Sequence, residues 1–557
     1  MGIKLRQYVR THDSDRQALV SIHDYVREHG KPDADGLRAL SEQLKLPVAS
    51  IRGAISFYDD LNEQPDAVRV CRGTSCMLAG AKETHGRIRD HAPCEGVYCL
   101  GYCDRSPVVL RPNDSVVVQC RYRDADGLLN AHVHPPDTPS VWHTVREPIV
   151  TARVNHGECD QLEYARQEGV YDALEMAVKH LDPSRVIDMI EQSGERGRGG
   201  AAYSAGKKWR MAAQTTADKR YVIANGDEGD PGSFIDRVLM EHDPHTVIEG
   251  LALCAYAVGA DEGVVFIRSE YPGATAVMRN AISEAYEARI LGASMFGSDF
   301  RFELSVFPAL GSYVCGEETA MLNAIEGFRG EVSLRPPYPA VEGLWGKPTV
   351  VNNVETLVNV PWIVSHGPDA YSALGTPTCS GTKAICLNHG FEQPGIVEVE
   401  FGTTLREVIE TEAGGGRDGT PLVAVALGGP MGSILRPDNW DVPICYDAMN
   451  QRGIRLGHGG LVALPEGTDF RALIRHLLRF MQHESCGKCV PCSLGSSRAY
   501  ELSETLSTTR DRDGFKNLLN TMRCASLCGF GQLMPEPILE IIELFGDQIF
   551  DGEGSGS

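Results

Sequence analysis

Three cysteines in one short loop limit the fold of this chain more than any other feature of its sequence. Cys486, Cys489 and Cys492 are separated by two residues each within ESCGKCVPC. A loop with this spacing can place three thiolates at three corners of an iron–sulfur cubane, and a distant fourth cysteine completes the set. Zinc sites usually take their thiolates from two separated pairs. The spacing therefore favours a [4Fe–4S] cluster, with Cys524 and Cys528 as candidates for the fourth ligand.

A second group of cysteines lies in the N-terminal part of the chain. It contains two close pairs, Cys71 with Cys76 and Cys99 with Cys103. Thiolates are soft ligands, and four of them in two pairs can hold a [2Fe–2S] cluster with two on each iron. The alternatives are a zinc site, whose pairs more often have two intervening residues, or ordinary buried thiols. Cys94 is an alternative to Cys99 as a ligand.

Composition narrows the class of function. A chain of 557 residues is long enough for several domains. Its 17 cysteines occur without the apolar region of a secretory signal peptide, which favours metal ligands over disulfides and predicts a cytoplasmic location. A net charge of −22 with no long basic run argues against a nucleic-acid partner. No run of 18 uncharged apolar residues is present, so direct membrane insertion is not expected.

The periodicity of apolar residues divides the chain into regions. Amphipathic helices are predicted first, then short strands around the first cysteine group, then alternating strands and helices, and finally helices after Phe470. This pattern predicts a multidomain α/β and α+β fold. The predicted boundaries are 1–66 for a helical N-terminal region, 67–123 for the [2Fe–2S] domain, 124–164 for a linker, 165–376 for an α/β domain, 377–465 for a small α+β module, 466–550 for a helical [4Fe–4S] domain and 551–557 for a flexible tail.

A glycine-rich loop, SGERGRGGAAYSAGKKW, lies in the central α/β region. Glycines expose backbone N–H groups to a phosphate, and Lys207 and Lys208 add positive charge. The loop formally matches the dinucleotide fingerprint, but that fingerprint needs a preceding strand, and SRVIDMIEQS is predicted to be helical. Three further segments follow: YVIANGDEGDPGSF, predicted as a strand and an acidic turn; GSYVCGEETAMLNAIEG, predicted as a strand, a turn and a helix; and VVNNVETL.

These four segments, in this order and followed by ESCGKCVPC, closely resemble the FMN- and NADH-binding subunit of respiratory complex I. VCRGTSCMLAG and VYCLGYCDRSPVVL resemble the thioredoxin-like [2Fe–2S] subunit of that complex and of related dehydrogenases. The resemblance implies N-terminal helices with a thioredoxin-like ferredoxin domain, a Rossmann-like FMN/NADH domain, a ubiquitin-like (SLBB, β-grasp) module at 377–465 and a C-terminal helical bundle with an iron–sulfur cluster. It also implies Cys528 as the fourth [4Fe–4S] ligand, because the family's closing cysteine has an S-x-C-x-x-G context.

The resemblance also implies the residues of the binding sites. The residues implied for FMN are Gly197, Gly199, Gly200, Lys208, Asn225, Asp227, Tyr313, Gly316, Glu317, Asn352, Asn353 and Thr356. The residues implied for NAD(H) are Tyr203, Glu228, Asp230, Glu318, Arg335 and Tyr338. Of these, Glu228 and Glu318 would position the reactants, and no separate acid–base residue is expected. The chain departs from the family pattern at Ala202–Ala205, Asp230 and Arg335, where aromatic character and sign of charge are kept.

The implied cofactors are FMN, NAD(H), one [2Fe–2S] cluster and one [4Fe–4S] cluster. Nicotinamide exchanges a hydride, clusters exchange single electrons, and flavin can do both. The chain has no candidate site for a second substrate, so we expect it to be a subunit of a larger complex. The fusion of the two complex I-like parts resembles the diaphorase subunit of soluble NAD-reducing hydrogenases and the β subunit of molybdenum- or tungsten-containing NAD-dependent formate dehydrogenases. Its expected partners are the catalytic and electron-transfer subunits of that complex. The alternatives are a complex I NADH-input fusion or a flavin-less electron-wire or assembly subunit.

Overall fold

The described part of the chain begins with a group of small helices that cover one face of the central domain. The computed structural model describes residues 18–550 except 63, 65, 131–135 and 505–508, so the predicted tail at 551–557 lies outside the described residues. Asp33 caps the second helix and accepts from the Gly36 N–H at 2.9 Å. The apolar faces of these helices share one buried cluster with Phe266 of the central sheet. The helices are α1 (Ala18–His29), α2 (Ala34–Leu44) and α3 (Val48–Ile55).

A four-stranded sheet then carries the first cysteine group. Its strand order is β2-β1-β3-β4, with β1 and β2 parallel and the other pairs antiparallel. Two short helices connect β1 to β2, as a crossover between parallel strands requires. The elements are β1 (Val68–Cys71), α4 (Thr74–Leu78), α5 (Ala81–Arg89), β2 (Cys94–Val97), β3 (Val109–Leu110), β4 (Val116–Val117) and α6 (Ala125–Leu129).

The central domain is a parallel sheet with strand order β8-β7-β6-β9. Asn225 and Asn353 are paired in register, so the carboxyl ends of β6 and β9 lie side by side. Ligands bind at this edge in open α/β sheets. The strands are β6 (Tyr221–Gly226), β7 (Glu262–Ile267), β8 (Glu303–Pro308) and β9 (Thr349–Asn353). The helices are α7 (Leu162–Gln167), α8 (Asp172–His180), α9 (Pro183–Gln192), α10 (Ala205–Gln214), α11 (Ile235–His242), α12 (Pro244–Val258), α13 (Pro272–Glu287), α14 (Glu318–Ile325), α15 (Val354–His366) and α16 (Pro368–Ser372).

A mixed six-stranded sheet follows, with strand order β15-β14-β16-β12-β13-β5. A two-stranded hairpin, β10 and β11, precedes it. The strands of the six-stranded sheet are β5 (Val141–His143), β12 (Thr382–Leu387), β13 (Gly395–Glu400), β14 (Leu422–Leu427), β15 (Ser433–Leu435) and β16 (Gly460–Pro465). The hairpin consists of β10 (Gly375–Thr376) and β11 (Cys379–Ser380). A π-helix (Glu407–Glu412) and α17 (Tyr446–Asn450) complete this module.

Strand β5 comes from the segment predicted as a linker. It pairs in parallel with β13, and the buried carboxylate of Glu398 on β13 accepts from the N–H groups of Ile149, Val150 and Thr151 at 2.8–3.0 Å. Residues 124–164 therefore contribute α6 and β5 to the domains on either side, in addition to connecting them. The sequence does not predict the short VWH strand, because the many Asp, His and Pro residues around it are typical of a linker. The strand forms by pairing with β13, which is distant in the sequence.

The C-terminal region is helical after Phe470, as the sequence predicts. Its helices enclose an apolar cluster that includes Leu477, Phe515 and Ile541. The elements are α18 (Phe470–Glu484), α19 (Val490–Ser503), α20 (Thr509–Ala525), α21 (Gly529–Leu533) and α22 (Pro535–Ile549). Across the described residues, no helix has both the length and the apolar character needed to cross a membrane.

The segment around Tyr313 differs from the prediction of a strand. Strand β8 ends at Pro308, the chain turns at Gly311 with φ +47°, and Tyr313–Gly316 forms a short 3-10 helix. The positive φ at Gly311 interrupts an extended run. The turn brings the Tyr313 N–H within 2.9 Å of a Glu484 carboxylate oxygen on α18. The predicted strand is therefore a junction between the central domain and the C-terminal helices.

Candidate functional site

The glycine-rich loop connects α9 to α10 at the carboxyl edge of the central sheet. Gly200 has φ +104°, a conformation that favours glycine. A Cβ atom at Gly200 would lie 3.3 Å from the backbone of Gly457, and one at Gly199 would lie 3.3 Å from the Cβ of Asn353. Side chains at these two positions would press on both the sheet edge and the six-stranded module. The loop backbone at 197–200, here called the glycine cradle, therefore packs closely on both neighbours, and backbone N–H groups without side chains suit a phosphate.

Polar groups from separate elements meet beneath this loop. Lys208 on α10 forms an ion pair with Glu318 at the start of α14 and donates to the Val351 carbonyl at 2.9 Å. The Asn225 amide at the end of β6 donates to the Gly316 carbonyl at 2.9 Å. The strand ends, the loop and the α14 N-terminus thus converge on one place.

Asp227 supplies an unpaired acceptor at this place. Its Oδ2 atom is buried and has no hydrogen-bond partner among the described residues, and burial raises the pKa of its carboxyl well above the ordinary value. A Cβ atom at Gly316 would lie 3.3 Å from the Asp227 carbonyl oxygen, so the turn above it is also tight. Buried polar atoms normally have a partner, and an orphan in a cleft indicates a bound group. The glycine cradle, a cation and this acceptor together fit FMN, which carries a phosphate and a polar ring.

The remaining residues implied for FMN lie around the same edge. Thr356 accepts from the Arg198 N–H at 2.9 Å, and its own N–H lies 3.4 Å from the Asn353 side-chain oxygen. Asn352 is buried at the end of β9. Glu317 caps α14, where its carboxylate accepts from the N–H groups of the next turn. The implied FMN residues therefore come from the glycine loop, α10, the end of β6, the turn before α14, β9 and α15.

The residues implied for NAD(H) fall into an exposed and a buried group. The rings of Tyr203 and Tyr338 are 48% and 52% exposed, which is unusual for large side chains of this kind. Arg335 lies 3.3 Å from Glu317 and 3.9 Å from Glu318, so a cation stands at the entrance beside the carboxylates. Exposed rings and a nearby cation suit stacking and phosphate binding by a dinucleotide.

Glu228 is buried and Asp230 is partly buried, and both lie in the acidic turn after β6. The Glu228 carboxylate accepts from the Asp236 and Arg237 N–H groups at 3.1 and 3.0 Å, so it caps α11. It also lies 3.4 Å from His458 Nδ1. Asp230 accepts a hydrogen bond from the Tyr313 hydroxyl. Glu228 is thus bonded inside the protein, whereas Glu318, the other residue expected to position the reactants, pairs with Lys208.

Two charged residues at this site were not found from the sequence. Arg198, in the glycine loop, is fully buried and pairs with Glu195, and its guanidinium also donates to the Tyr371 hydroxyl at 2.6 Å. His458, from the turn before β16, lies between Glu228 and Asp236 at 3.4 and 3.3 Å. In the sequence Arg198 is one of two arginines in the loop and His458 is a lone histidine. Only the tertiary contacts distinguish them.

The first cysteine set is buried at the edge of the [2Fe–2S] domain. The Cys99 and Cys103 sulfurs lie 3.4 Å apart, and Cys71 interacts with both Cys76 and Cys99. Cys94 lies elsewhere, because it pairs with Val68 at the opposite end of β1 from Cys71. The hydrogen bond to Cys99 and burial raise the pKa of Cys103, so a metal that binds this thiol must displace its proton. Four clustered thiols fit a [2Fe–2S] cluster.

The second cysteine set joins the loop before α19 to the start of α21. Cys492 interacts electrostatically with Cys486, Cys489 and Cys528, and burial raises its pKa to about 12. The Leu527 N–H lies 3.5 Å from the Cys489 sulfur. Cys524 is exposed on α20. The loop and Cys528 therefore form the four-thiol group that fits a [4Fe–4S] cluster, with Cys524 outside it.

The flavin residues and the second cysteine set share side chains. The Tyr313 ring packs on Phe480 and Phe530 with centroids 5.0 and 5.6 Å away, and Phe530 lies on α21 two residues after Cys528. Glu317 interacts electrostatically with Cys528. The two candidate cofactor sites are therefore adjacent, which suits electron exchange between them.

Comparison with known proteins gives three family matches along the chain. Residues 5–132 match the thioredoxin-like [2Fe–2S] ferredoxin family, residues 190–362 the Nuo51 FMN-binding domain, and residues 472–551 the NADH-ubiquinone oxidoreductase-F iron–sulfur binding region. These matches coincide with the two cysteine sets and the glycine cradle. The fold and the sites define a flavin- and iron–sulfur-dependent oxidoreductase that uses NAD(H), with FMN, one [2Fe–2S] and one [4Fe–4S] cluster as cofactors.

Relatives and a solved structure resolve the family further. NADP-reducing hydrogenase subunit HndC of Solidesulfovibrio fructosivorans is 42% identical over 66% of this chain and 76% of that protein. A subunit of the NADH-quinone oxidoreductase of Aquifex aeolicus is 36% identical over 74% of this chain and 96% of that protein. The chain belongs to the family of complex I-type NADH-oxidising flavoprotein subunits. A crystal structure of NAD⁺-reducing [NiFe]-hydrogenase in the H₂-reduced state has a TM-score of 0.81 at 28% identity, covering 96% of this chain and 92% of that one.

Proposed function

We propose that this chain is the diaphorase subunit of a larger cytoplasmic redox complex, in which it exchanges electrons between NAD(H) and a catalytic subunit. The observation that supports this most is the alignment of 96% of the chain with one chain of a NAD⁺-reducing [NiFe]-hydrogenase. That chain therefore shares the whole arrangement, and not only the flavin domain. Seventeen free cysteines are consistent with a reducing compartment.

We assign the FMN phosphate to the backbone N–H groups of the Gly197–Gly200 loop and to the charge of Lys208. Asn225 and the unpaired Asp227 oxygen would bind the polar edge of the ring. Bound there, FMN supplies the exchange between two-electron hydride chemistry and one-electron cluster chemistry.

The nucleotide would enter past the exposed rings of Tyr203 and Tyr338. Arg335 would attract its pyrophosphate, and Glu318 would bind a ribose hydroxyl and repel a 2′-phosphate. Asp230, held by Tyr313, and the buried Glu228 would fix the acidic turn beneath the nicotinamide. In this assignment Glu228 acts by holding the turn, because its carboxylate is bonded inside the protein.

A partner would bind beside the second cysteine set. Val490 and Leu494, which flank Cys489 and Cys492 on α19, are 67% and 65% exposed. Cys489 is itself only partly buried. Exposed apolar residues beside a redox centre suit docking of an iron–sulfur subunit of the complex, since electron transfer needs close approach.

The catalytic partner is a hydrogenase or a formate dehydrogenase, and the metal content of the native complex distinguishes them. The complex should be purified anaerobically through this subunit, its other subunits identified, and its metals measured. We expect FMN, NADH-dependent reduction of an artificial one-electron acceptor, and either nickel or molybdenum/tungsten. Membrane-arm subunits without these metals would indicate a complex I-type fusion. Complete absence of flavin would overturn the proposal in favour of an electron-wire subunit.

A further inference from the structure

A pair of cysteines lies outside both cluster sites, beside the glycine loop. Cys379 is on β11 of the small hairpin, and Cys445 immediately precedes α17. Their sulfurs are 3.2 Å apart, although 66 residues separate them in the sequence. Both side chains are buried, but the hairpin tip above them, Pro377–Thr378, is exposed. One layer of side chains therefore separates the pair from solvent.

The surroundings of Cys445 favour the thiolate. Burial alone raises the pKa of Cys445, but the hydrogen-bond donors around its sulfur outweigh this effect and lower the pKa to about 7. These donors are the Ala448 N–H, the hydroxyls of Thr376 and Thr378, and the Cys379 thiol. Among the described cysteines with a shifted pKa, Cys445 alone is shifted downward. A thiolate is the nucleophilic form of cysteine.

Charged groups also approach the pair from the glycine loop and from α17. Arg196 Nη1 lies 3.9 Å from the Cys379 sulfur and 3.0 Å from Asp447 Oδ2. The same guanidinium donates through Nε to the Ala202 carbonyl at 2.7 Å and stacks on the Tyr446 ring. The pair is therefore in contact with the loop assigned to FMN.

We propose that Cys379 and Cys445 form a peroxide-sensitive dithiol that closes to a disulfide next to the glycine loop. The Cys445 thiolate attacks hydrogen peroxide, the O–O bond breaks, and a sulfenic acid and hydroxide result. The Cys379 thiol then attacks that sulfur, forming the S–S bond and releasing water. Two electrons pass from the two thiols to one peroxide. Access is through the exposed hairpin tip, where the Thr378 hydroxyl lies 3.6 Å from the Cys445 sulfur. The sulfurs need to move only about 1 Å to reach the bond length of about 2.05 Å.

The disulfide would restrain the hairpin and, through Arg196, the glycine loop. In the reduced protein, a two-residue strand pairing and hydrogen bonds to the two sulfurs hold the hairpin. A covalent bond to the start of α17 removes its freedom to open. We therefore expect slower amide hydrogen exchange over residues 375–380 and 196–204 in the oxidised protein.

Peptide mapping of the full chain under non-reducing conditions tests the proposal. Limited hydrogen peroxide should yield one cross-linked peptide pair joining Cys379 to Cys445, and dithiothreitol should reverse it. The cross-link should form about tenfold faster than oxidation of Cys254 or Cys386, which are two buried thiols with a raised pKa. Its rate should rise about tenfold between pH 6 and pH 8, as the thiolate population grows. The peptides should be mapped before the visible absorbance of the clusters decreases. Cysteines released from a damaged cluster then do not contribute to the cross-linked products.

Two variants complete the test. Cys379→Ser should leave a Cys445 sulfenic acid that dimedone labels, whereas Cys254→Ser, elsewhere in the core, should form the cross-link normally. The wild-type map needs no variant, so a folding defect in either one leaves the test intact. Absence of the cross-linked peptide, or oxidation of Cys445 no faster than of Cys254, would overturn the proposal.

Discussion

At the scale of single residues, His458 is an imidazole held between two buried carboxylates. Burial alone would lower the pKa of His458, but Asp236 and then Glu228 raise it to about 9. A raised pKa means that the contribution of the charged histidine to stability is complete below about pH 6.5 and is lost as pH rises through about 9. Removing the cation would also leave two buried carboxylates uncompensated, at a cost of about 3–5 kcal/mol.

We therefore predict that His458→Gln lowers the melting temperature strongly at pH 7 and less at pH 9.5. His476 is the matched control, because burial lowers its pKa to about 4 and keeps it neutral over this range. His476→Gln should give the same change in melting temperature at both pH values. Differential scanning calorimetry on the holoprotein measures both. An equal effect of His458→Gln at pH 7 and pH 9.5 would show that His458 carries no charge there.

Glu318 gives a second prediction at this scale, for nucleotide choice. Its carboxylate pairs with Lys208 and lies near Arg335, at the entrance to the proposed nucleotide site. Glu318→Gln removes the repulsion toward a 2′-phosphate, so the kcat/KM ratio of NADPH to NADH should rise about fivefold, or about 1 kcal/mol. FMN content should not change. Glu331→Gln, at an ion pair with Lys488, is the control and should leave the ratio unaltered. An equal NADPH-to-NADH ratio of kcat/KM in the two variants would contradict the assignment of Glu318.

At the scale of elements, we predict opposite effects of cysteine substitutions in the loop before α19 and at the exposed end of α20. Cys489→Ser removes a thiolate from the second set and should abolish the [4Fe–4S] signal in electron paramagnetic resonance of the reduced protein, leaving the [2Fe–2S] signal. Cys524→Ser should keep both signals, because Cys524 is exposed outside the set. The same comparison applies to Cys76→Ser and Cys94→Ser for the [2Fe–2S] signal. Retention of both signals in Cys489→Ser would require a different ligand set.

The elements also show what the sequence can predict. The helices after Phe470 and the cysteine loop follow from local patterns of spacing, and the matched families confirm the cofactors drawn from them. Strand β5 and the turn at Tyr313 could not be predicted, since each depends on a partner far away in the sequence. The same holds for Arg198 and His458, whose roles come from burial beside particular carboxylates. Cysteine spacing and helical periodicity can therefore be recognised in a short stretch of sequence. A network of buried charges can be recognised only when the folded structure brings its members together.

At the scale of the whole molecule, the two cysteine sets differ in their access to a partner. Each described thiol of the first set is buried, whereas Cys489 and Cys528 of the second set are partly exposed. The second set also adjoins the Tyr313 and Phe530 rings of the flavin side. An electron carrier that is both near the flavin residues and near the surface is the natural contact for another subunit. The first set lies on the other side of the acidic turn, where the Gly232 N–H is 3.3 Å from the Cys103 sulfur.

From this difference in exposure we predict that a substitution on the α19 surface weakens electron transfer to the partner subunit but not electron transfer from NADH to a small acceptor. Leu494→Glu places a charge in the proposed docking surface, and burying it should weaken binding of the iron–sulfur partner about tenfold or more. NADH-dependent reduction of a small artificial acceptor should continue, because the Leu494 side chain is 65% exposed. Thr420→Glu adds the same charge to an exposed turn of the six-stranded module and serves as control. Surface plasmon resonance with the purified partner, together with the acceptor assay, measures both effects. Unchanged partner affinity in Leu494→Glu would place the docking surface elsewhere, and loss of acceptor reduction would show that α19 supports the flavin site itself.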